Sequence, residues 1–265
     1  MSIEKQEFPI LEYDKNPEAL IMPGHERLML KLPTKCVYAF LGTYIDQFAI
    51  ENNAKKVAEF ESITKIYPVY EIQYKHEKIC LVQAPMGSAA STQLMDWLIS
   101  YGVREFISTG TCGCLIDIPE NTFLVPKSAL RDEGTSYKYL PASRHIEINR
   151  QVLNAIESTL IEHGLKYQEV MTWTTDGFYR ETKDMIAYRI EEGCSVVEME
   201  CSALAACAKL RKVLWGQILF TADSLADFEK YDSRNLGEAS FEYSLKLAMD
   251  AVIKLENKES LIGAE

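Results

Sequence analysis

Short apolar runs alternate with longer amphipathic segments along almost the whole chain, and this alternation limits the folds open to it more than any other feature. Residues 36–42 and 213–223 have the length and apolar content of buried strands. Residues 88–102 and 148–165 have helical periodicity, and a glycine closes each of them. Strands and helices that alternate without a linker-like stretch predict one α/β domain of three layers, with a sheet between two layers of helices.

The same patterns predict the remaining elements and the limits of the domain. Four prolines interrupt residues 1–34, which are therefore predicted to form an irregular N-terminal arm. The domain is predicted to span residues 35–257, followed by a frayed tail at residues 258–265. Further strands are predicted at residues 67–75, 77–87, 105–113, 122–130, 169–179 (with the loop that follows) and 195–197, further helices at residues 45–59, 183–193, 202–210 and 241–257, and a polar loop at residues 131–143.

The composition argues against several classes of protein. A net charge of −11 lacks the basic footprint that nucleic acids and anionic membranes require of a partner. No apolar run approaches the ~18–20 residues of a membrane span, and the acidic N-terminus lacks the apolar core of a signal peptide. The seven cysteines are an odd number and lie mostly in apolar segments, which indicates reduced, buried thiols. Reduced thiols are typical of a cytoplasmic protein, which is the expected location. Cys112 and Cys114 have no second pair at zinc-site spacing, so we expect no bound metal, and we expect no cofactor.

Glycines and acids collect at the ends of the predicted strands. They are Gly42, Gly87, Gly110, Glu198 and Asp223. In open α/β sheets, ligands bind beyond the carboxyl ends of the strands. The distribution therefore predicts a ligand site at this edge of the sheet.

Two carboxylates, Glu198 and Glu200, stand where one strand ends and the next helix begins. Acids in a first helical turn meet unsatisfied N–H groups and the positive end of the helix dipole, which contributes about 0.3–1 kcal/mol each. A carboxylate at this junction also lies where ligands bind. From these residues alone, a structural and a functional interpretation both stay open.

Six short motifs follow one another along the chain: Gly42, APMG (84–87), STGTCG (108–113), DGFY (176–179), VEMECSAL (197–204) and TADS (221–224). In order and approximate spacing they resemble the purine nucleoside phosphorylase/uridine phosphorylase superfamily, to which the methylthioadenosine/adenosylhomocysteine nucleosidases are related, from about residue 36 to 256. The resemblance implies a phosphorylase-type fold whose central mixed sheet is partly barrel-like. It also implies an enzyme that cleaves the bond between a ribose and its base through a transition state with positive charge on the ribose.

The resemblance gives several side chains a role. It places Glu200 against the ribose 2′ and 3′ hydroxyls, where a fixed carboxylate stabilises the developing cation. Asp223 becomes the acid that protonates a departing purine, and Glu198 the more structural of the two junction acids. The other implied contacts are Met199 and Met86 against the sugar, Phe178 stacked on the base, and His25 of the N-terminal arm on the ribose of a neighbouring subunit.

The base is expected to be a purine, because Asp223 can offer a proton to a ring nitrogen. Uridine phosphorylases carry a Gln and an Arg shortly after the stacking Phe, whereas this sequence has Thr182 and Asp184 there. A helix cap for Asp223 and a core position for Phe178 are the structural alternatives. The resemblance thus implies nucleoside metabolism, with purine salvage as the expected setting.

The acceptor pocket departs from the family pattern. Gly42 and the Thr111 hydroxyl match its phosphate contacts, and Lys65 falls where a neighbouring subunit usually lends an arginine. Asp46 and Ser108 stand at two further positions where the family has arginines. Both are included among the residues of the predicted acceptor pocket. Each replacement removes a cationic clamp, and Asp46 adds a repelling charge. The family nevertheless implies phosphate as co-substrate and ribose 1-phosphate as product.

Two other functions stay open. In the nucleosidase branch an acid four residues after the glycine helps to activate water, so Asp46 could serve hydrolysis. A protein that binds nucleosides without catalysis is the further alternative, although it would not need both Glu200 and Asp223. Under phosphorolysis, Arg131 is a candidate to supply the missing charge. Because Lys65 and His25 match positions lent across a subunit boundary, we expect a homo-oligomer, either a dimer or a trimer of dimers.

Overall fold

Strand pairing buries the apolar runs in one mixed sheet, which forms the centre of the computed structural model. The structure describes residues 2–257, and the tail predicted at residues 258–265 lies outside them. The strands of this described part are β1 (Ile3–Glu4), β2 (Tyr13–Asp14), β3 (Lys35–Phe40), β4 (Lys55–Glu61), β5 (Ile66–Tyr74), β6 (Glu77–Gln83), β7 (Glu105–Cys114), β8 (Phe123–Asp132), β9 (His145–Glu147), β10 (Tyr167–Thr175), β11 (Cys194–Glu198) and β12 (Leu214–Ser224).

The sheet is open at one end and closed at the other. Across it the strands follow the order β11-β10-β8-β12-β7-β3-β6-β5-β4, and β9 lies on β8. Parallel pairs dominate its centre, whereas β5 is antiparallel to both of its neighbours, β4 and β6. β11 also pairs antiparallel with β7, which closes β7, β8, β10, β11 and β12 into a five-stranded barrel. The expectation of a mixed, partly barrel-like sheet is therefore confirmed.

Helices cover both faces of this sheet. Those of the described chain are α1 (Tyr44–Glu51), α2 (Ser88–Ser100), α3 (Ser136–Tyr139), α4 (Arg150–Glu162), α5 (Lys183–Glu191), α6 (Cys201–Arg211) and α7 (Phe241–Val252). α2 and α3 pack against α6 in one layer, and α4 packs against α7 in the other. Because both faces are covered, all 11 residues of β12 are buried. The predicted three-layer α/β/α architecture is confirmed.

The helix predicted at residues 45–59 is wrong in its second half. α1 ends at Glu51, and Asn53 adopts a left-handed φ of +52°, which turns the chain out of the helix. Lys55–Glu61 is instead β4, the edge strand, which pairs antiparallel with β5. Charged side chains such as Lys56 protect an exposed edge from pairing with other chains, and the same charges resemble the polar face of a helix in the sequence.

Two further predictions need correction. Residues 131–143 are not a simple loop, because β8 continues to Asp132 and α3 follows at Ser136–Tyr139. The last helix, predicted to reach residue 257, ends at Val252. Polar composition concealed the end of β8 and the short helix α3, and apolar spacing continued beyond the last residue of α7.

The N-terminal arm packs along the domain instead of leaving it. β1 and β2 form a short hairpin, and Glu26 Oε2 accepts a hydrogen bond from Trp97 Nε1 of α2 at 2.8 Å. The N–H of Leu32 donates to the Tyr101 carbonyl at 2.8 Å just before β3 begins. Among residues 2–257, none of the helices has the length and apolar content of a membrane span. All seven cysteines lie in this part of the chain as buried free thiols.

A buried ion pair ties the end of the domain to its beginning. Lys35 Nζ of β3 lies 3.1 Å from Glu105 Oε2 of β7, and both side chains are less than a tenth exposed. Lys35 Nζ also donates to the carbonyl of Leu255 at 2.5 Å, and Glu105 Oε1 accepts from the N–H of Asn257 at 2.7 Å. The pair therefore anchors the segment after α7 to the first residues of two central strands.

We expect Glu105→Ala to lower the free energy of unfolding by about 3–5 kcal/mol, because it leaves the Lys35 ammonium buried without its counter-ion. Glu71→Ala is the matched control: it breaks the pair between Glu71 and Lys78, 2.8 Å apart, whose lysine is largely exposed. That loss should stay within about 1 kcal/mol. Denaturant unfolding measures both values, and equal losses would contradict the anchoring role of the buried pair.

Candidate active site

A cavity of about 430 Å³ lies at the carboxyl ends of β3, β7, β11 and β12. Residues far apart in the sequence meet there: Gly42 follows β3, Thr111 is in β7, Glu200 follows β11, and Asp223 is near the end of β12. The cavity thus occupies the edge of the sheet where the glycines and acids of the strand ends indicated a ligand site.

Glu198, the last residue of β11, holds the backbone of the turn into α6. Its Oε2 accepts hydrogen bonds from the N–H groups of Glu200 and Cys201, both at 2.7 Å. Its Oε1 accepts from the hydroxyls of Thr174 at 2.6 Å and Thr172 at 3.3 Å. Burial raises the pKa of the Glu198 carboxyl, while these four donors oppose the shift. The carboxylate therefore satisfies N–H groups that the first turn of a helix leaves open.

Glu200 faces the cavity from the same turn. Its Oε1 accepts a hydrogen bond from the N–H of Gly87 at 2.5 Å, which links the turn to the start of α2. Only 6% of the residue is exposed. Burial, and then the charge of Glu198, raises the pKa of Glu200 to about 8. A ligand that donates hydrogen bonds to Glu200 would stabilise the charged form of its carboxyl.

Asp223 provides a second desolvated acid in the cavity. Burial raises its pKa, and the hydroxyl of Tyr231 and the charge of Arg234 partly oppose that effect. Gly113 leaves room for this carboxyl, because a Cβ at residue 113 would lie 3.4 Å from Asp223 Oδ1 and 3.0 Å from Val197 Cγ1. A raised pKa keeps the proton on the acid closer to neutral pH, which suits a proton donor.

Apolar side chains form the exposed rim of the cavity. Phe178 lines it while 48% exposed, and its ring meets that of Tyr179 edge to face with centroids 5.0 Å apart. Met86 lines the cavity at 77% exposure, and Met199 lines it from the turn before α6. Uncovered apolar groups around a polar cavity are typical of a ligand site whose ligand has a flat or apolar part.

Lys65 brings positive charge to the cavity of its own chain. Its ammonium donates to Gln83 Oε1 at 2.5 Å and lies 5.3 Å from the centre of the Tyr67 ring. The resemblance implied that Lys65 contributes to the site of a neighbouring subunit, whereas here it lines the cavity of its own chain. Gly42 and Thr111 line the same cavity. Gly42 has a φ of +56°, a left-handed conformation that only glycine adopts without strain, although a Cβ there would meet no atom within 4 Å.

Three predicted site residues lie outside the lining of this cavity in the described chain. The Asp46 carboxylate accepts a hydrogen bond from the Tyr70 hydroxyl of β5 at 3.0 Å. The fully buried Ser108 hydroxyl accepts from Trp215 Nε1 at 2.9 Å. His25 is exposed in the arm and lines a separate cavity of about 550 Å³ beside α2. The structure therefore does not bring them together with Glu200.

Arg131 is also engaged away from the cavity. Its Nε donates to Ser136 Oγ at 2.9 Å, and one terminal nitrogen donates to the Pro141 carbonyl at 2.8 Å and to Ser143 Oγ at 2.7 Å. The guanidinium also lies 4.4 Å from the centre of the Tyr137 ring. These contacts organise the segment around α3, so Arg131 does not supply the charge missing from the acceptor pocket of this chain.

Two polar cavity residues were missed by the sequence patterns. Burial, and then the charge of Asp223, raises the pKa of Glu181 to about 7. Gln217 lies midway along β12 and is only 1% exposed. Glu181 stands in a charged stretch without periodicity, so no signal marked it. A single amide inside an apolar run is unusual in a buried strand, and Gln217 could have been found by that signal.

The described lining carries four acids and one basic side chain. The acids are Glu181, Glu198, Glu200 and Asp223, and the base is Lys65. Burial raises the pKa of all four acids, to about 7 for Glu181 and about 8 for Glu200, so these two carry only part of their charge near neutral pH. The arrangement favours a ligand with several hydroxyl or N–H donors.

Comparison with known proteins confirms the resemblance carried by the six motifs. The family model of the phosphorylase superfamily matches residues 36–255. The DeoD-type purine nucleoside phosphorylases of Bacillus cereus and Bacillus thuringiensis (strain Al Hakam) are each 24% identical over 245 residues, covering 89% of this chain and 94% of their own.

Solved structures show the same fold. Uridine phosphorylase from Vibrio fischeri ES114 gives a TM-score of 0.74 at 21% identity, covering 90% of this chain and 100% of its own. AMP nucleosidase from Bacteroides thetaiotaomicron VPI-5482 gives a TM-score of 0.68 at 24% identity, covering 88% of this chain and 91% of its own. These similarities establish the architecture.

The raised pKa of Glu200 predicts a pH dependence of stability. An acid whose pKa rises from 4.5 to about 8 on folding keeps its proton in the folded state after the unfolded state has lost it. Its contribution to the free energy of unfolding is therefore complete below about pH 4.5 and is lost as the pH rises towards 8. Glu200→Gln should flatten this decline in denaturant unfolding, and the exposed control Glu229→Gln should not. Parallel curves for wild type and Glu200→Gln would contradict the desolvation of Glu200.

Proposed function

The chain belongs to the phosphorylase superfamily, and we propose that it cleaves the N-glycosidic bond of a purine nucleoside with phosphate as the acceptor. The observation that carries this proposal is the meeting of Glu200 and Asp223, two desolvated acids from different strand ends, in one cavity with Phe178 at its rim. The superfamily comprises nucleoside phosphorylases and nucleosidases, which supports an enzyme that acts on nucleosides. The products are the free base and ribose 1-phosphate.

Glu200 is the residue proposed to bind the ribose. Its carboxyl is desolvated, and the Gly87 N–H holds one of its oxygens in place. Two vicinal ribose hydroxyls can donate to this carboxylate and thereby favour its charged form. As the glycosidic bond breaks, positive charge develops on the sugar, and a fixed negative charge in a water-poor cavity stabilises it.

Asp223 and Phe178 are proposed to act on the base. The glycosidic electron pair leaves with the base, which is a better leaving group once a ring nitrogen is protonated. Asp223 has a raised pKa and lines the same cavity as Glu200, as this proton transfer requires. Phe178 offers an exposed aromatic face for stacking at the rim. A purine suits this pair better than a pyrimidine, since it offers a basic ring nitrogen.

Phosphate is supported by three further groups of the cavity lining. The Lys65 ammonium, the backbone at Gly42 and the Thr111 hydroxyl all line it. The Asp46 carboxylate accepts a hydrogen bond from the Tyr70 hydroxyl and does not line the cavity. The same contact weakens the case for Asp46 as the residue that activates water.

Water is the second candidate acceptor, and the charge of the cavity favours it. Four acids face one lysine in the described lining. A phosphate ion adds charge of the same sign as the carboxylates, whereas water adds none. Under this alternative the products are the free base and free ribose.

A homo-oligomer is part of the proposal. Lys65 lines the cavity of its own chain, which leaves His25 as the residue that supports the oligomer. His25 is exposed on the arm and its Nδ1 lies 3.2 Å from the Met22 carbonyl, which leaves the ring available to a neighbouring subunit. A twofold pair is the usual unit of soluble homo-oligomers. We place the enzyme in purine salvage in the cytoplasm.

Glu200→Gln should lower kcat/KM by about 10²–10³, because it removes the charge that faces the cationic ribose. Asp223→Asn should slow cleavage most for the nucleosides with the poorest leaving groups. The measurement is release of free base from a panel of purine and pyrimidine nucleosides. Glu229→Gln and Asp227→Asn, both exposed, are the matched controls. Wild-type turnover in both Glu200→Gln and Asp223→Asn would refute the site assignment.

The same assay with and without phosphate identifies the acceptor. Ribose 1-phosphate, formed with a saturable dependence on phosphate, supports phosphorolysis. Free ribose, formed at the same rate without phosphate, supports hydrolysis. Nucleoside binding without turnover under either condition would favour a catalytically silent binding protein.

A further inference from the structure

Gln217 is a buried amide whose oxygen lacks a hydrogen-bond partner. The residue is 1% exposed, and Oε1 meets no donor among residues 2–257. Its neighbours along β12 include Gly216, Ile218 and Leu219, which offer no polar side chain. Buried polar groups nearly always form hydrogen bonds in folded proteins, so an orphaned one needs a specific explanation. Gln217 also lines the candidate active-site cavity.

The polar side chains that share its level of the sheet are already engaged. Gln217 pairs with Ser108 of β7, which pairs with Tyr38 of β3. The Ser108 hydroxyl accepts from Trp215 Nε1 at 2.9 Å, and the Tyr38 hydroxyl donates to the Ser91 carbonyl at 2.8 Å. Neither hydroxyl bonds to Gln217 Oε1, which therefore has no partner at this level of the described sheet.

Gln217 lies well before Asp223 along β12. Gln217 precedes Asp223 by six residues on the same strand, roughly 20 Å along the backbone at about 3.3 Å per residue. The two side chains are therefore too far apart to contact the same base. This separation assigns Gln217 to a group other than the base.

We propose that the Gln217 amide binds the glycosyl acceptor and positions its oxygen for attack, an inference that rests on the proposed function. A side-chain amide presents an acceptor oxygen and an NH₂ donor, and a half-turn exchanges them. Gln217 can therefore accept from a water O–H or donate to a phosphate oxygen. An amide is neutral, so it can do either without adding another charge to the acidic cavity.

The amide takes part only through hydrogen bonds. An oxygen of the acceptor forms the new bond to the ribose C1′, the glycosidic bond breaks, and its electron pair leaves with the base. Asp223 supplies the proton that the base takes. With phosphate the acceptor attacks as the anion, and with water it also releases one proton to solvent. Gln217 neither gains nor loses a proton in either case.

Gln217→Met tests this role, because methionine keeps the length and flexibility of the side chain and removes its polarity. Removing an unpartnered buried amide should raise Tm by about 2–4 °C. The reaction with the glycosyl acceptor should nevertheless be impaired. If phosphate is the acceptor, its KM should rise about tenfold while the KM of the nucleoside stays within about threefold. If water is the acceptor, kcat should fall about tenfold with the same small change in nucleoside KM.

Thr92→Val is the matched control. The Thr92 hydroxyl in α2 is also buried without a partner in the described chain, but it lies outside the active-site cavity. Its replacement should leave every kinetic constant unchanged, without loss of stability. Gln217→Leu repeats the test with a second apolar residue if Gln217→Met does not fold.

The outcomes separate this role from the proposed function. Wild-type kinetics in a folded Gln217→Met or Gln217→Leu protein would overturn the role of Gln217, as would a change confined to the nucleoside KM. A wild-type protein that cleaves no nucleoside would overturn the proposed function and the acceptor role with it. Higher Tm together with selectively impaired acceptor use supports the assignment.

Discussion

The carboxylate of Glu198 determines how the turn between β11 and α6 is built, and the site depends on that turn. By accepting the N–H groups of Glu200 and Cys201, it fixes the backbone at the first turn of α6. The Thr174 hydroxyl that donates to Glu198 also accepts from the N–H of Ser202 at 3.1 Å. The two acids on either side of Met199 thus have different tasks: the first organises the backbone, and the second is presented to the cavity.

The turn places a carboxylate whose charge is unfavourable in the cavity at a position where a ligand can stabilise it. Glu200 is buried beside Glu198, so its charged form is disfavoured, and the proposed ribose hydroxyls would donate hydrogen bonds that stabilise that form. Two positions where the resemblance implied arginines hold Asp46, bonded to Tyr70, and Ser108, bonded to Trp215. Lys65 is the single basic side chain of the described lining, which also holds the unpartnered amide oxygen of Gln217.

The sequence predicted what depends on local pattern and missed what depends on partners. Alternating apolar runs gave the three layers, and the strand-end acids gave the edge of the sheet at which the cavity lies. The β4 strand was mistaken for helix because its charged edge residues, such as Lys56, carry no pattern of their own and take their structure from pairing with β5. The directions of Asp46 and Ser108 likewise depend on Tyr70 and Trp215, which are distant along the chain.

The most direct test of the account is whether the Glu200 carboxylate binds the two ribose hydroxyls. Calorimetry can compare a purine nucleoside with its 2′,3′-dideoxy analogue on two proteins, both carrying Asp223→Asn to suppress turnover and one also carrying Glu200→Ala. With Glu200 present, loss of the hydroxyls should weaken binding by about tenfold or more, because hydrogen bonds to a charged group contribute about 1.5–3 kcal/mol. With Glu200→Ala the two ligands should bind almost equally. An equal penalty in both proteins would show that the hydroxyls bind elsewhere and would contradict the account.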